Sequence, residues 1–193
     1  MIPSRAFHEL LSFPGRSIVP SSRAEFSLNR LSYFSGPALA TGKSDGARQV
    51  RDGLAVTPAG VEKSEHFALK WGPNGQFDGE AEAILEALEL AWQVEVGQLG
   101  FLPPRTTEAF KMNVYIGDTG GDAPSAEGAG GYFWYDPEGF PHLVLSREAA
   151  QGGGGWTAAH ELFHAVQDRY SSYEYEGLGG WFWEATAEWA ASH

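Results

Sequence analysis

The chain has 193 residues and no cysteine, and 42% of its residues are hydrophobic, so it can bury a core but can form neither disulfides nor thiolate metal sites. Its net charge of -12 is uneven: residues 1–63 carry 8 Lys/Arg against 5 Asp/Glu, and residues 64–193 carry 5 against 20. An acidic body repels phosphates and anionic lipid, which excludes nucleic acid and membrane surfaces as partners and favours cations.

Residues 1–63 are predicted to form a partly irregular N-terminal arm or leader. Five prolines between residues 3 and 58 interrupt any long helix or strand there. The arm is either a partly ordered tail or a basic segment that covers the acidic body, and both interpretations stay open. The N-terminus lacks the uninterrupted apolar core of a signal peptide, so the sequence does not determine localisation.

The next segments predict alternating strands and one long helix. Residues 66–71 alternate apolar side chains with polar or small ones, which indicates a strand with one buried face. An apolar stripe at three- and four-residue spacing then predicts a helix that begins after an N-cap at Asp78 and ends before Gly100. A second strand at residues 112–116 precedes a hairpin over residues 131–146, whose turn is Pro137, Glu138 and Gly139.

Two further helices complete the predicted domain, residues 64–193. Gly152–Gly155 lead into the first, with Thr157 as a candidate N-cap, and the second begins at about Gly180. The glycine run either lets the first helix approach the sheet closely or forms a flexible hinge, and the sequence does not separate these. The order of elements predicts an α+β fold in which a small, mostly antiparallel sheet carries a backing helix and two C-terminal helices.

The sequence "HELFH", residues 160–164, is the strongest chemical signal in the chain. His160 and His164 are four residues apart, so on a helix both rings project from one face and can bind one metal ion. Glu161 lies beside them, where it can activate a water molecule without binding the metal. The pattern predicts a metal site that still needs a third ligand.

Candidates for that ligand follow in "WFWEATAEWAA". Glu184 and Glu188 are again four residues apart and share one face of the last helix. Two histidines and a glutamate are a standard ligand set for catalytic zinc, which keeps a fourth position for water. The remaining glutamate can accept a hydrogen bond from the second ring nitrogen of His160.

This arrangement resembles the gluzincin zinc metallopeptidases, and in particular the thermolysin-like pattern of H-E-x-x-H, 19 residues, and E-A-x-x-D. The resemblance implies a zincin-like fold with an active-site helix and a glutamate helix. It also implies that His160, His164 and Glu184 bind Zn²⁺ and that Glu161 is the catalytic general base. Glu188 stands where the family has an aspartate that supports the first histidine.

Two other zinc enzyme families do not fit. Metzincins have a glycine and a third histidine after the motif, where this chain has Gln167 and Tyr170. Peptide deformylases use a cysteine ligand, and this chain has none.

The resemblance extends less specifically to substrate binding. The segment "GGYFWYD", residues 130–136, is similar in position to the gluzincin edge strand that pairs with substrate, which implies substrate-binding roles for Tyr132, Phe133 and Trp134. Gluzincins also place an oxyanion-stabilising Tyr or His beyond the glutamate helix, but this chain ends at His193. Either the domain is incomplete at its C-terminus, or the stabiliser is Tyr170, Tyr173 or Tyr175.

The sequence therefore supports two hypotheses for the function. The first is zinc-dependent hydrolysis of peptide bonds by a metal-activated water, with a peptide or protein as substrate. The second is a non-catalytic, zinc-containing binding or structural module. Resemblance to a largely secreted family favours an extracellular location for either.

Overall fold

The structure is a computed structural model that describes residues 48–54, 56–126, 128–170 and 178–193. These residues belong to one compact unit that extends from residue 44 to residue 193. The predicted arm is thus described only from residue 48 onward, and its preceding residues lie outside the described part. Among the described helices, none is both long and apolar enough to cross a lipid bilayer.

The described residues form an α+β fold, as the sequence predicts, and its one sheet has five strands. The strands are β1 (Gly60–Lys63), β2 (Phe67–Trp71), β3 (Met112–Ile116), β4 (Gly131–Tyr135) and β5 (Pro141–Leu145). The helices are α1 (Ala81–Trp92), which continues as a π-helix (Gln93–Gln98), α2 (Arg147–Gln151), α3 (Gly155–Asp168) and α4 (Leu178–Ala191). Strand β1, inside the segment predicted as arm, and the short helix α2 were not predicted.

The sheet is mixed, and the prediction of mostly antiparallel strands was wrong. The strand order is β1-β2-β3-β5-β4, in which the outer pairs are antiparallel and the two inner pairs, β2–β3 and β3–β5, are parallel. Parallel neighbours need a crossover connection, and α1 lies in the connection from β2 to β3. The predicted β4–β5 hairpin is confirmed, with Gly139 at φ +82° in its turn.

Both faces of the central strands are covered. Strand β2 is buried along its whole length, so the prediction of one buried face was wrong. The reason is that residues 48–54 lie over the second face: Lys70 Nζ donates hydrogen bonds to the carbonyl oxygens of Arg51 at 2.6 Å and Asp52 at 2.8 Å. On β3, the Tyr115 hydroxyl accepts a hydrogen bond from the Leu54 N–H at 2.9 Å.

Helix α1 buries the predicted apolar stripe against the sheet. The stripe belongs to the main core, which contains residues of α1, α3, β2, β3 and β5. The predicted N-cap at Asp78 was wrong, because Glu80 occupies the cap position and makes no side-chain capping bond. The helix then widens into the π-helix and ends before Gly100, whose φ of +76° is a conformation that favours glycine.

Helix α3 begins at the glycine run, where the chain makes a tight turn. The N-cap is Gly154 at φ +66°, so the predicted cap at Thr157 was wrong. A methyl group added at Gly154 would lie 3.3 Å from Ile84 Cγ1 of α1 and 3.4 Å from Leu145 Cδ1 of β5. The run therefore provides close approach of α3 to the core, one of the two roles that the sequence left open.

Helix α4 packs on the opposite side of α3 through a smaller apolar cluster. Its buried members are Phe163, Val166, Ala187 and Ala190. Beside this cluster an apolar cavity of about 280 Å³ lies between α3 and α4, with Phe101, Tyr170 and Trp189 among its walls. Helix α3 is thus packed on both sides, against α1 and the sheet on one side and against α4 on the other.

Substitution of Gly154 by Ala is expected to destabilise the fold by about 1–3 kcal/mol. The left-handed backbone costs about 1–2 kcal/mol for a residue with a Cβ atom, and the tight contacts with Ile84 and Leu145 add to that cost. Gly153→Ala is the matched control, because its φ is +81° but an added methyl group meets no atom of the described residues within 4 Å. Urea unfolding should show a larger loss for Gly154→Ala; equal losses would show that packing does not constrain this position.

Glu95 in the π-helix should make stability depend on pH. Its side chain is 1% exposed, neither carboxylate oxygen has a hydrogen-bond partner among the described residues, and burial raises its pKa to about 9. The unfolded chain loses this proton at a lower pH, so the free energy of unfolding should fall between about pH 5 and 9 by up to about 1.4 kcal/mol per pH unit. Glu95→Gln should flatten that slope in urea titrations, whereas Glu86→Gln, an exposed change on α1, should not; equal slopes in all three proteins would refute the assignment.

Candidate metal centre

Helix α3 brings His160 and His164 together on one buried face. The two residues are 8% and 5% exposed, and their rings lie 4.7 Å apart between centroids. Their Nε2 atoms are 3.1 Å apart, so both point to the same place. The structure thus brings the two imidazole rings together, as their helical spacing predicts.

Helix α4 supplies the third member of the cluster. Glu184 Oε2 lies 3.2 Å from His160 Nε2 and 3.7 Å from His164 Nε2. Its side chain is 50% exposed, so the cluster opens to solvent on the side of α4. Among the described residues, these three are the one group of His, Asp and Glu side chains whose arrangement can hold a metal ion.

Glu188 lies near the other ring nitrogen of His160. Its Oε2 atom is 3.8 Å from His160 Nδ1, within ion-pair distance but beyond hydrogen-bond distance. His160 Nδ1 is buried and has no hydrogen-bond partner among the described residues. The predicted supporting glutamate is therefore next to its histidine without being bonded to it.

Glu161 is buried between helix α3 and strand β4. It is 7% exposed, and burial, followed by the negative charge of Glu184, raises its pKa to about 7, while a hydrogen bond with the Phe133 backbone opposes the shift. A methyl group added at Gly131 would lie 3.2 Å from Glu161 Cγ, so the strand passes directly over this side chain. The carboxylate is held beside the cluster at the edge of the sheet.

The three aromatic residues predicted to bind substrate lie on both faces of β4. Phe133 packs against the main core on the side of α3, and Tyr132 packs with Tyr115 and Val144 in the cluster on the other face. Trp134 is 66% exposed and, by the alternation of a strand, shares the face of Tyr132. Only Phe133 is thus brought to the face that carries the cluster.

The predicted oxyanion candidates are only partly within the described structure. Tyr170 is described, and its hydroxyl accepts a hydrogen bond from the Leu102 N–H at 2.6 Å. Tyr170 follows the end of α3, and its ring contacts that of Phe101. Both rings are among the walls of the apolar cavity. Tyr173 and Tyr175 lie outside the described residues.

Three residues that the sequence analysis did not assign to the site surround the histidines. The Trp183 ring stacks on His164 at 4.9 Å and 7°, and the Trp156 ring lies 5.1 Å from that of His160. Gln167 Oε1 lies 2.7 Å from His164 Nδ1. Helical spacing places two of them, because Trp156 precedes His160 by four residues and Gln167 follows His164 by three, and these offsets are the signal that could have identified them. Trp183 reaches His164 from α4, a tertiary contact that spacing within one helix does not indicate.

This chain matches a known protein family in sequence. Neither the curated proteins nor the solved structures gave a match to this chain. The model of a protein family matches residues 59–193, which include every strand and helix described above and all three members of the cluster. The chain therefore belongs to the family of unknown function DUF6055.

Proposed function

We propose that this protein is a zinc-dependent peptidase of the gluzincin type with a zincin-like fold. The observation that carries the proposal is the triangle formed by His160 Nε2, His164 Nε2 and Glu184 Oε2, with edges of 3.1, 3.2 and 3.7 Å. Two ligands come from α3 and one from α4, at the spacing that the gluzincin resemblance implies.

The triangle has the size that a tetrahedral zinc site requires. Zinc binds imidazole nitrogen and carboxylate oxygen at about 2.0–2.2 Å, which places the ligand atoms of a tetrahedron about 3.3–3.6 Å apart. The three observed edges, 3.1, 3.2 and 3.7 Å, each lie within about 0.2 Å of that range. A site with three protein ligands leaves the fourth position for water or substrate, which is the arrangement of catalytic zinc.

Zinc at this site would supply a Lewis acid that acidifies water and polarises a carbonyl oxygen. Glu161 is the general base: it accepts a proton from the attacking water while the new carbon–oxygen bond forms. It then gives that proton to the leaving amine nitrogen as the peptide carbon–nitrogen bond breaks. Its place supports this role, because the buried carboxylate lies close enough to Glu184 for that charge to affect its pKa.

Strand β4 provides the surface on which a peptide substrate can align. Among the strands in the described part of the chain, it lies at the edge of the sheet and pairs with β5 alone. The Phe133 backbone forms a hydrogen bond with Glu161, so this strand runs beside the proposed base. A peptide that adds to the free edge would be held by backbone hydrogen bonds with its carbonyl groups near the cluster. Tyr173 and Tyr175 remain the candidates for oxyanion stabilisation.

A structural metal site is the second candidate. Among the described side chains of α4, Ala187 and Ala190 are the buried ones, and an apolar cavity of about 280 Å³ lies between this helix and α3. A metal ion shared by both helices would join them and stabilise the fold without catalysis. Removal of the metal separates the two roles: a catalytic site should retain most of its helix content in far-UV circular dichroism, and a structural site should lose it.

Substitution of Glu184 by Ala should remove most bound zinc, because a two-histidine site lacks the third ligand. Elemental analysis should give about one zinc per chain in the parent and a marked loss in the variant. Glu86→Ala, an exposed glutamate of α1, is the control and should keep its zinc. A parent that binds no zinc after incubation with the metal would refute both the catalytic and the structural proposal.

Substitution of Glu161 by Gln should abolish peptide hydrolysis while zinc remains bound. The amide keeps the size of the side chain but cannot accept the proton, and a general base contributes about 10²- to 10⁴-fold to the rate. The readout is cleavage of an unstructured protein substrate such as casein, with zinc content measured on the same samples. Undiminished hydrolysis by the variant would remove Glu161 from the mechanism, and an inactive parent with bound zinc would favour the structural role.

A further inference from the structure

Gln167 contacts both helices that carry the proposed ligands. Its Oε1 atom lies 2.7 Å from His164 Nδ1, one turn back on α3. Its Nε2 atom lies 3.0 Å from the carbonyl oxygen of Trp183 and 2.5 Å from Thr186 Oγ1, both on α4. Trp183 is the residue directly before Glu184, so one amide group joins His164 to the backbone beside the third ligand.

The contact with Trp183 determines which way the Gln167 amide points. A backbone carbonyl oxygen only accepts hydrogen bonds, so the group that faces it must be the NH₂ of the amide. The reverse orientation would place two oxygen atoms 3.0 Å apart with no hydrogen between them. The amide oxygen of Gln167 must therefore face His164.

This orientation in turn determines the position of the proton on His164. An amide oxygen is an acceptor, so His164 Nδ1 must carry the hydrogen and donate it. In a neutral imidazole the other nitrogen, Nε2, then has a free lone pair. That atom is the one that lies 3.1 Å from His160 Nε2 and 3.7 Å from Glu184 Oε2.

We infer that Gln167 is a positioning residue that holds His164 in the Nδ1–H tautomer, with the Nε2 lone pair directed toward the cluster, and that ties this histidine to the helix of Glu184. The inference about the tautomer stands on the hydrogen bonds alone. Its consequence for zinc affinity rests on the proposed function. In a metal site, such an outer hydrogen-bond partner typically contributes 10- to 100-fold to metal affinity.

The experiment measures the tautomer in the metal-free full-length chain. Long-range ¹H–¹⁵N correlation spectra at pH 8, with the His164 signals identified by their loss in His164→Asn, report which ring nitrogen carries the hydrogen. The parent should show the Nδ1–H tautomer, and an Nε2–H tautomer in the parent would overturn the inference by itself. This result does not depend on whether any Gln167 variant folds.

Two variants at position 167 test the cause. Gln167→Met keeps the length of the side chain but removes the acceptor, so His164 should lose its preference for Nδ1–H and zinc affinity should fall 10- to 100-fold. Gln167→Glu keeps an acceptor oxygen at this position, so His164 should keep the Nδ1–H tautomer in that variant. Gln151→Met, an exposed change at the end of α2, is the control and should alter neither quantity.

The outcomes separate this inference from the proposed function. An unchanged tautomer in a folded Gln167→Met protein would overturn the role of Gln167 even if zinc binds. If Gln167→Met changes the His164 tautomer as expected but the parent protein binds no zinc, the hydrogen-bond assignment is supported and the metal site is refuted. Thr186→Val, which removes one of the two acceptors on α4, should weaken zinc binding less than Gln167→Met; an equal loss would place the effect in helix packing instead.

Discussion

The start of helix α3 can lie where it does only because residue 154 has no side chain. Ile84 and Leu145 occupy the space around it, and the backbone there has φ +66°. The helix that begins at this point carries His160, Glu161 and His164 within its next three turns, so their position over the edge of the sheet depends on the glycine turn. Strand β4 approaches the same helix closely at Gly131, where an added methyl group would lie 2.9 Å from Thr157 Cγ2 and 3.2 Å from Glu161 Cγ.

The interior of the centre is unusually polar for a buried region. His160, Glu161 and His164 are each less than 9% exposed, although burial of such groups is costly unless hydrogen bonds compensate for it. Part of the compensation is local, because His164 lies within hydrogen-bond distance of both His160 and Gln167 and the Phe133 backbone bonds to Glu161. His160 Nδ1 has no hydrogen-bond partner among the described residues. A group of residues that costs stability and converges on one point is more typical of a functional site than of a core.

The two helices that form the centre differ in how deeply they are buried. Helix α3 packs into the main core, whereas α4 rests on a few apolar side chains beside a cavity. The half-exposed Glu184 thus belongs to the less deeply buried helix, and the bond from Gln167 to the Trp183 carbonyl is a direct polar link between the two.

The sequence determined the local features of this protein. Helical spacing was enough to bring His160 and His164 to one face of α3, because residues four apart on a helix are neighbours whatever the fold. The packing of α4 on α3, which brings Glu184 to these histidines, is a tertiary contact that spacing does not provide. Tertiary structure decided the rest: the parallel pairing at the centre of the sheet, the cover that residues 48–54 place over Lys70, and the orientation of the Gln167 amide. These depend on partners distant in the sequence, and neither alternation nor motif spacing carries information about such contacts.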